Sequence, residues 1–188
     1  SACRSLFANY TEWGVSSNEY ATPVTEVHEN FKNIHDAILI ISGKEKAVSS
    51  RVGHSLMENH PFKEVRYKNA HTRLETLFHI LSQGDWKNFI AIVEAEALEL
   101  HAMMMCSTPP YILMKPNTLI IIDLITNFRR KTNFNICFTL DAGPNIHLLY
   151  SDDIKSNIHN FINTDLRPYL ENGVWIDDKI GTGPINLT

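Results

Sequence analysis

The sequence predicts an α+β fold organised as one domain, and three observations lead to this prediction. Apolar residues recur at helical spacing in three successive segments, whereas residues 134–140 alternate in the manner of a strand. Helical and strand segments do not alternate strictly, which favours α+β over α/β. The chain has 188 residues and contains no internal repeat or linker-like tract. We therefore predict one domain over residues 1–188, with an antiparallel sheet covered by helices on one face.

Composition and charge exclude several classes of partner. The net charge is −4 without a basic stripe, so we expect no nucleic-acid partner. The longest apolar runs, such as residues 37–41, are far shorter than the roughly 20 residues of a membrane span. The scattered Cys3, Cys106 and Cys137 fit a reducing cytoplasm better than a disulfide framework. The chain begins at Ser1 without a methionine or signal peptide, so we interpret it as part of a longer protein.

The first third of the chain contains one clear strand. Residues 1–13 mix small and aromatic side chains, a composition compatible with the start of a helix, and residues 19–32 have the character of a connection. The apolar run at residues 37–41 ends before Gly43 and predicts a strand buried on both faces. Residues 46–60 are polar, which is typical of a loop or a short helix.

Three helices are predicted next. Gly84 ends the first, Pro109 and Pro110 follow the second, and Pro116 opens the third. The apolar positions of their buried faces are Leu74, Leu77, Phe78 and Leu81, then Phe89, Val93, Ala97, Leu100 and Met104, and then Ile121, Leu124, Ile125 and Phe128.

The last third returns to strands on either side of a turn. Residues 134–140 predict one strand, residues 141–145 a tight turn, and residues 146–150 a second strand. Ser151 has the side chain of an N-cap for a last helix. Residues 174–176 predict a short final strand.

The first segment suited to chemistry is the polar start of the chain. Ser1, Cys3, Arg4 and Ser5 supply hydroxyl or thiol groups around one guanidinium, and backbone N–H groups add further donors for an anion. Composition alone, however, favours a polar helix start with a solvated arginine.

The second segment is Asp-Ala-Gly-Pro-Asn at residues 141–145. These are turn-forming residues, and taken alone they favour a structural hairpin turn. In the functional interpretation, Asp141 projects from a strand end into a cleft, where its carboxylate accepts a proton or orients a hydroxyl. The backbone of Ala142 and Gly143 is then open to a ligand.

Other polar groups are assigned no catalytic or metal-binding role. The nine histidines include no pair at the i, i+4 spacing of a zinc helix. Glu94 and His101 share a helix face and are interpreted as a surface acid–histidine pair. The basic run that begins at Arg129 lies at a helix C-terminus, where cations are favoured. We predict no metal ligand in this chain.

Four motifs occur together in the order found in one known family. They are SACRS at residues 1–5 followed by Glu12-Trp13, the helix at residues 94–104, Pro109-Pro110, and a strand running into DAGPN at residues 138–145. In these motifs the chain resembles diphosphomevalonate decarboxylases of the GHMP kinase superfamily. It departs from them at Ala8-Asn9, where the family has two glycines and non-glycine residues restrict close approach of a ligand.

The resemblance implies a fold and a division of labour. The fold is a ferredoxin-like α/β sandwich, the C-terminal domain of a GHMP-kinase-type enzyme, with residues 1–13 as the tail of the inter-domain active-site segment. The ATP-binding N-terminal domain is absent from this chain, so ATP and Mg²⁺ are expected mainly on that domain. The chain alone is therefore expected to be inactive.

The resemblance also implies a reaction, which is ATP-dependent decarboxylation of diphosphomevalonate to isopentenyl diphosphate in isoprenoid biosynthesis. Asp141 is the implied catalytic residue, and the implied diphosphate-binding residues are Ser1, Cys3, Arg4 and Ser5. A cytoplasmic homodimer is expected. Three alternatives stay open: a GHMP-family small-molecule kinase, a phosphomevalonate decarboxylase, and a stand-alone ferredoxin-like ligand-binding module.

Overall fold

A four-stranded sheet lies at the centre of the part of the chain that the computed structural model describes, residues 7–17, 19–44 and 59–184. Its strands are β3 (Ile34–Leu39), β4 (Ile136–Thr139), β5 (Ile146–Ser151) and β6 (Trp175–Lys179). Two short strands, β1 (Thr11–Glu12) and β2 (Thr22–Pro23), form a separate antiparallel pair. The helices in these ranges are α1 (Glu29–Lys32), α2 (Lys63–Gln83), α3 (Trp86–Met105), α4 (Pro116–Thr132) and α5 (Lys155–Phe161).

The order of the strands identifies the fold. They lie in the order β4–β5–β3–β6, and every neighbouring pair is antiparallel. Along the chain, strand β3 is followed by helices, the β4–β5 hairpin, α5 and β6. This is the strand–helix–strand–strand–helix–strand arrangement of a ferredoxin-like fold. The predicted α+β class and ferredoxin-like sandwich are therefore confirmed.

The larger apolar core lies between one face of the sheet and helices α4 and α5. Successive strand residues point to opposite faces, so only alternate positions of each strand enter this core. The rings of Phe128 and Phe161 stack at its edge with their centroids 4.0 Å apart. Its fully buried members include Ala37, Leu39, Ile121, Ile125, Ile136, Ile146, Leu148, Tyr150 and Ile158.

A second core lies on the opposite face and holds the α2–α3 corner to the sheet. The ring of Phe31 packs against Trp86 and Phe89, with centroids 4.8 and 4.9 Å apart. Cys137 and the half-buried Leu149 belong to this cluster, although their chain neighbours point into the first core. The expectation that helices cover only one face is therefore incomplete.

Helix boundaries follow the sequence signals closely. Gly84 ends α2 with φ 71°, a left-handed conformation that favours glycine. A Cβ at this position would clash with the side chains of His28 and Asn30, so the available space also favours glycine. Pro116 occupies the first turn of α4, and Asn133 ends that helix with φ 56°.

No helix within the described ranges combines the length and apolar composition needed to cross a bilayer.

Three local predictions differ from the structure. Residues 11–12 form strand β1, so residues 7–13, the described part of the first segment, do not form the helix start that their composition allowed. The predicted strand at residues 37–41 is β3, which begins three residues earlier; Ala37 and Leu39 are fully buried, whereas Ile38 is only partly buried. Ser151 ends β5, and its buried Oγ has no hydrogen-bond partner among the described residues, so it does not cap the last helix with its side chain.

An ion pair covers the outer edge of β4. Arg129 and Glu94 form a salt bridge between α4 and α3. Arg129 Nη1 donates to the backbone oxygen of Ile136 at 2.9 Å, and Glu94 Oε1 accepts the backbone N–H of Phe138 at 3.3 Å. An edge strand exposes such groups unless they are covered. The pair therefore holds in place the strand that leads to Asp141.

Candidate active site

The site predicted around Asp141 is the connection between β4 and β5. Residues 141–145 form a tight turn in which the Gly143 N–H donates to the Asp141 backbone oxygen at 2.7 Å. Gly143 is buried and Ala142 half-buried, whereas Asp141 itself is exposed. The structure thus places an accessible carboxylate at the end of a buried strand.

Asn145 ties the turn to the segment that follows β3. Its Oδ1 accepts the backbone N–H groups of Ile41 and Ser42 at 2.8 and 2.9 Å. Its Nδ2 donates to the backbone oxygen of Ser42 at 3.1 Å. The side-chain amide therefore acts as a further strand partner beyond the end of β3. A turn that served only to reverse the chain would not need these bonds.

The start of α4 supports the turn from a second side. Thr118 is fully buried, and its Oγ1 donates to the backbone oxygen of Pro144 at 2.8 Å while accepting the backbone N–H of Lys115 at 3.1 Å. The Nζ of Lys115 donates to Oγ of Ser42 at 3.1 Å. Thr118 therefore stabilises both the helix start and the turn, and Lys115 brings a cation close to the same place.

His101, on α3, supports the turn from a third side. Its side chain is 1% exposed, and Nε2 lies 3.1 Å from the backbone oxygen of Asp141. Burial lowers the pKa of His101, and the hydrogen bond to Asp141 only partly offsets this effect. The predicted surface pair with Glu94 is wrong, because His101 is buried and Glu94 instead binds Arg129.

The anchors of the turn were not found from the sequence. Ser42 and Asn145 are 103 residues apart, and Thr118 and Pro144 are 26 residues apart, so no local pattern joins them. His101 and Thr118 carried the only available signal, since each is a polar residue at a buried helix position. Such a residue needs a partner, but its identity depends on the fold.

The predicted anion-binding residues Ser1, Cys3, Arg4 and Ser5 lie outside the described residues. The neighbouring Asn9 is described, and its φ is 60°, in the left-handed region. Asparagine enters this region more readily than most residues. The Asn9 N–H donates to the Gly181 backbone oxygen at 2.9 Å. Asn9 therefore keeps a glycine-like conformation at a position where the resembled family has glycine.

The described residues contain no group of three histidine, cysteine, aspartate or glutamate side chains placed to hold a metal ion. The side chains of His101, Thr118 and Asn145 are instead bonded to backbone atoms. What this arrangement offers is an exposed carboxylate on a turn held by hydrogen bonds, with a lysine close to that turn.

A comparison with protein-family models matches residues 37–179 to the family "Mevalonate 5-diphosphate decarboxylase C-terminal domain". The chain belongs to this family. The match includes the helix at residues 94–104, Pro109-Pro110 and the turn at residues 141–145, so the resemblance inferred from these motifs is confirmed. The motif at residues 1–5 lies outside the matched range.

Individual relatives agree with this family. Diphosphomevalonate decarboxylase of Schizosaccharomyces pombe is 25% identical over 160 residues, which are 81% of this chain and 41% of that protein. The structure of mevalonate diphosphate decarboxylase from Staphylococcus aureus has a TM-score of 0.82 at 27% identity, over 97% of this chain and 55% of that chain. The family fold therefore extends over nearly the whole chain, which spans only about half of the S. aureus protein.

A third comparison concerns the fold alone. The protein named MDDEF, in complex with MVAPP, AMPPCP and magnesium, is 23% identical to this chain, with a TM-score of 0.81. The matched region is 97% of this chain and 55% of the MDDEF chain. The fold of this chain has therefore been observed in a protein that holds MVAPP, AMPPCP and magnesium together.

Proposed function

We propose that the longer protein containing this chain converts diphosphomevalonate to isopentenyl diphosphate with consumption of ATP, and that this chain is its C-terminal domain. The observation that carries the proposal is the exposed Asp141 on a turn that hydrogen bonds from three surrounding segments hold in place. Family membership supports the choice of reaction. The reaction requires a proton acceptor, a diphosphate site and a triphosphate site.

Asp141 is the proposed catalytic residue. The tertiary hydroxyl of the substrate loses its proton to, or is oriented by, the Asp141 carboxylate while it takes up the terminal phosphoryl group of ATP. Phosphate then leaves with the electrons of the carbon–oxygen bond. Carbon dioxide departs as the electrons of its carbon–carbon bond form the new double bond. The negative charge of Asp141 favours the electron-poor carbon that develops during this step.

Ser1, Cys3, Arg4 and Ser5 are the proposed diphosphate-binding residues. A guanidinium matches the oxygen geometry of a phosphate group, and hydroxyl donors complete such a site. Binding the diphosphate, which does not react, positions the reacting carbon at Asp141. We assign the backbone of Ala142 and Gly143 to the same substrate cleft.

ATP and Mg²⁺ are assigned mainly to the N-terminal part of the longer protein. MDDEF, which shares the fold, was solved with AMPPCP and magnesium. When bound with ATP, Mg²⁺ would neutralise phosphate charge during phosphoryl transfer. We further propose a cytoplasmic homodimer. Cys106 and Cys137 are free thiols, in keeping with a reducing compartment.

The test uses the full-length protein with ATP, Mg²⁺ and either diphosphomevalonate or phosphomevalonate. We expect equal release of carbon dioxide and inorganic phosphate with diphosphomevalonate, and much slower turnover with the monophosphate. Phosphorylated substrate that accumulates without carbon dioxide would identify a kinase instead. Faster turnover of phosphomevalonate than of diphosphomevalonate would identify a phosphomevalonate decarboxylase. The isolated 188-residue chain serves as a control and should give no turnover.

A further inference from the structure

His101 is a buried residue that the proposed reaction does not use directly. It lies on α3, its side chain is 1% exposed, and its Nε2 is 3.1 Å from the backbone oxygen of Asp141. Buried polar groups are normally satisfied, so one hydrogen bond alone would be unremarkable structurally. Its position is informative because its partner is the backbone of the proposed catalytic residue.

The contact determines which tautomer of His101 is present. A carbonyl oxygen only accepts hydrogen bonds, so Nε2 must carry the proton. Burial lowers the pKa of His101, and the ring is accordingly neutral at neutral pH. His101 therefore donates a hydrogen bond without bringing a permanent positive charge beside Asp141. A lysine or arginine at this position would compete for the carboxylate.

The contact also acts closer to Asp141 than the other anchors. Thr118 binds the oxygen of Pro144, and Asn145 binds the backbone after β3. The Asp141 oxygen accepts the Nε2–H of His101 and the N–H of Gly143, at 3.1 and 2.7 Å. Two donors on one carbonyl set the orientation of the peptide that follows Asp141, and hence the direction of its side chain.

We propose that His101 is a positioning residue, which holds the backbone of Asp141 so that its carboxylate stays aligned with the reacting hydroxyl. The proposal rests on the catalytic role proposed for Asp141. A displacement of about 1 Å at a reacting group can cost up to about a hundredfold in rate. Loss of the His101 contact should therefore lower kcat and leave substrate binding nearly unchanged.

The chain offers a matched control in His60. This histidine is also buried, and its Nε2 lies 3.1 Å from the backbone oxygen of Met103, on the same helix as His101. Its Nδ1 accepts the Phe62 N–H at 3.1 Å, so Nε2 again carries the proton. The two histidines make the same kind of bond at the same length, but only His101 contacts the proposed site.

The experiment compares His101→Leu, His101→Gln and His60→Leu in the full-length protein. We expect His101→Leu to lower kcat by about tenfold or more while KM for diphosphomevalonate stays within about twofold. His101→Gln, whose amide retains an N–H donor, should recover most of kcat. His60→Leu should lower Tm by about as much as His101→Leu does, but should keep kcat near the wild-type value. Equal kcat in wild type and His101→Leu, or equal losses in the two leucine variants, would overturn the proposal.

Two further measurements separate this proposal from the proposed function. In an Asp141→Asn background, His101→Leu should cost little additional rate, because the group that it positions is already lost. An active Asp141→Asn variant would refute the role of Asp141. If Asp141→Asn is inactive but His101→Leu has the kcat of the wild type, only the positioning role is refuted. The ¹⁵N NMR shifts of His101 in the unmodified protein should report the Nε2–H tautomer, and the opposite tautomer would refute the contact without any variant.

Discussion

Asp141 combines an exposed carboxylate with a backbone that is held from several directions. His101 binds its oxygen, while Thr118 and Asn145 bind the turn that follows it. Each of these neutral bonds contributes about 0.5–1.5 kcal/mol net to stability. Their shared consequence is that the backbone of Asp141 is held in place before any ligand binds, which suits a group that must meet one hydroxyl.

Asp141→Asn distinguishes a catalytic residue from a turn residue. Asparagine forms turns as readily as aspartate, so Tm and substrate Kd should stay near wild type. An amide is a poor proton acceptor and carries no charge, so kcat should fall by at least about a hundredfold. Asp141→Glu should also be impaired, because the added methylene displaces the carboxylate. The exposed Asp153 provides the control Asp153→Asn; a wild-type rate in Asp141→Asn would leave only a hairpin turn.

Arg4 tests the anion-binding motif at the start of the chain. Arg4→Ala in the full-length protein should weaken diphosphomevalonate binding by about 1.5–3 kcal/mol, the usual value for a hydrogen bond to a charged group. Arg4→Lys should recover only part of this loss, because the planar fork is missing. ATP affinity, measured by calorimetry in parallel, should barely change. An unaltered Kd for diphosphomevalonate would contradict the motif's proposed role.

Among the secondary-structure elements, β4 depends on groups supplied by helices. Glu94 and Arg129 occupy the edge where another strand would otherwise pair, and their side chains are only 14% and 21% exposed. Each satisfies a backbone group of β4 as well as its partner. Helices α3 and α4 thus act together to place the strand that ends at Asp141.

Arg129→Met should therefore destabilise the protein although it adds apolar surface. The change leaves Glu94 and the Ile136 oxygen without their partner, at an expected cost of about 3 kcal/mol, the low end for breaking a buried pair. The adjacent Arg130→Met, at an exposed position, is the matched control and should change stability by less than about 0.5 kcal/mol. Urea unfolding measures both, and equal stabilities would show that the pair contributes little.

For the molecule as a whole, two histidines make stability depend on pH in opposite directions. Burial lowers the pKa of His101, so the unfolded chain binds protons more readily and stability is lost as pH falls below about 6.5. The hydrogen bond that His147 donates to the Asp36 carboxylate raises the pKa of His147, so its contribution to stability is present at low pH and is lost as pH rises through the folded pKa.

His101→Gln should remove only the first of these effects. In thermal unfolding between about pH 5 and pH 8, the difference in stability between wild type and His101→Gln should shrink as the pH falls. His147→Gln should show the reverse, with the difference largest at low pH. A difference that is independent of pH in His101→Gln would mean that burial does not perturb the titration of this histidine.

Local patterns in the sequence were sufficient for the long helices, for the strands of the central sheet and for the family. The period of apolar residues, Gly84 and Pro116 located the long helices, because helix periodicity and chain termination are properties of neighbouring residues. The turn at residues 141–145 was visible for the same reason, and together with the other motifs it indicated the decarboxylase family. Asp141 was the natural candidate within that turn.

Only the tertiary structure decided how the turn is supported. His101, Thr118 and Ser42 lie far from it in sequence. The side chains of His101 and Thr118 and the backbone of Ser42 meet the turn only after the sheet and helices have packed. Burial converts each of them from an ordinary polar residue into one that must find a specific partner, because an unsatisfied buried polar group costs about 1–3 kcal/mol. The sequence by itself thus identified Asp141 as the candidate carboxylate, whereas the packing of α3, α4 and β3 decided which residues hold its turn in place.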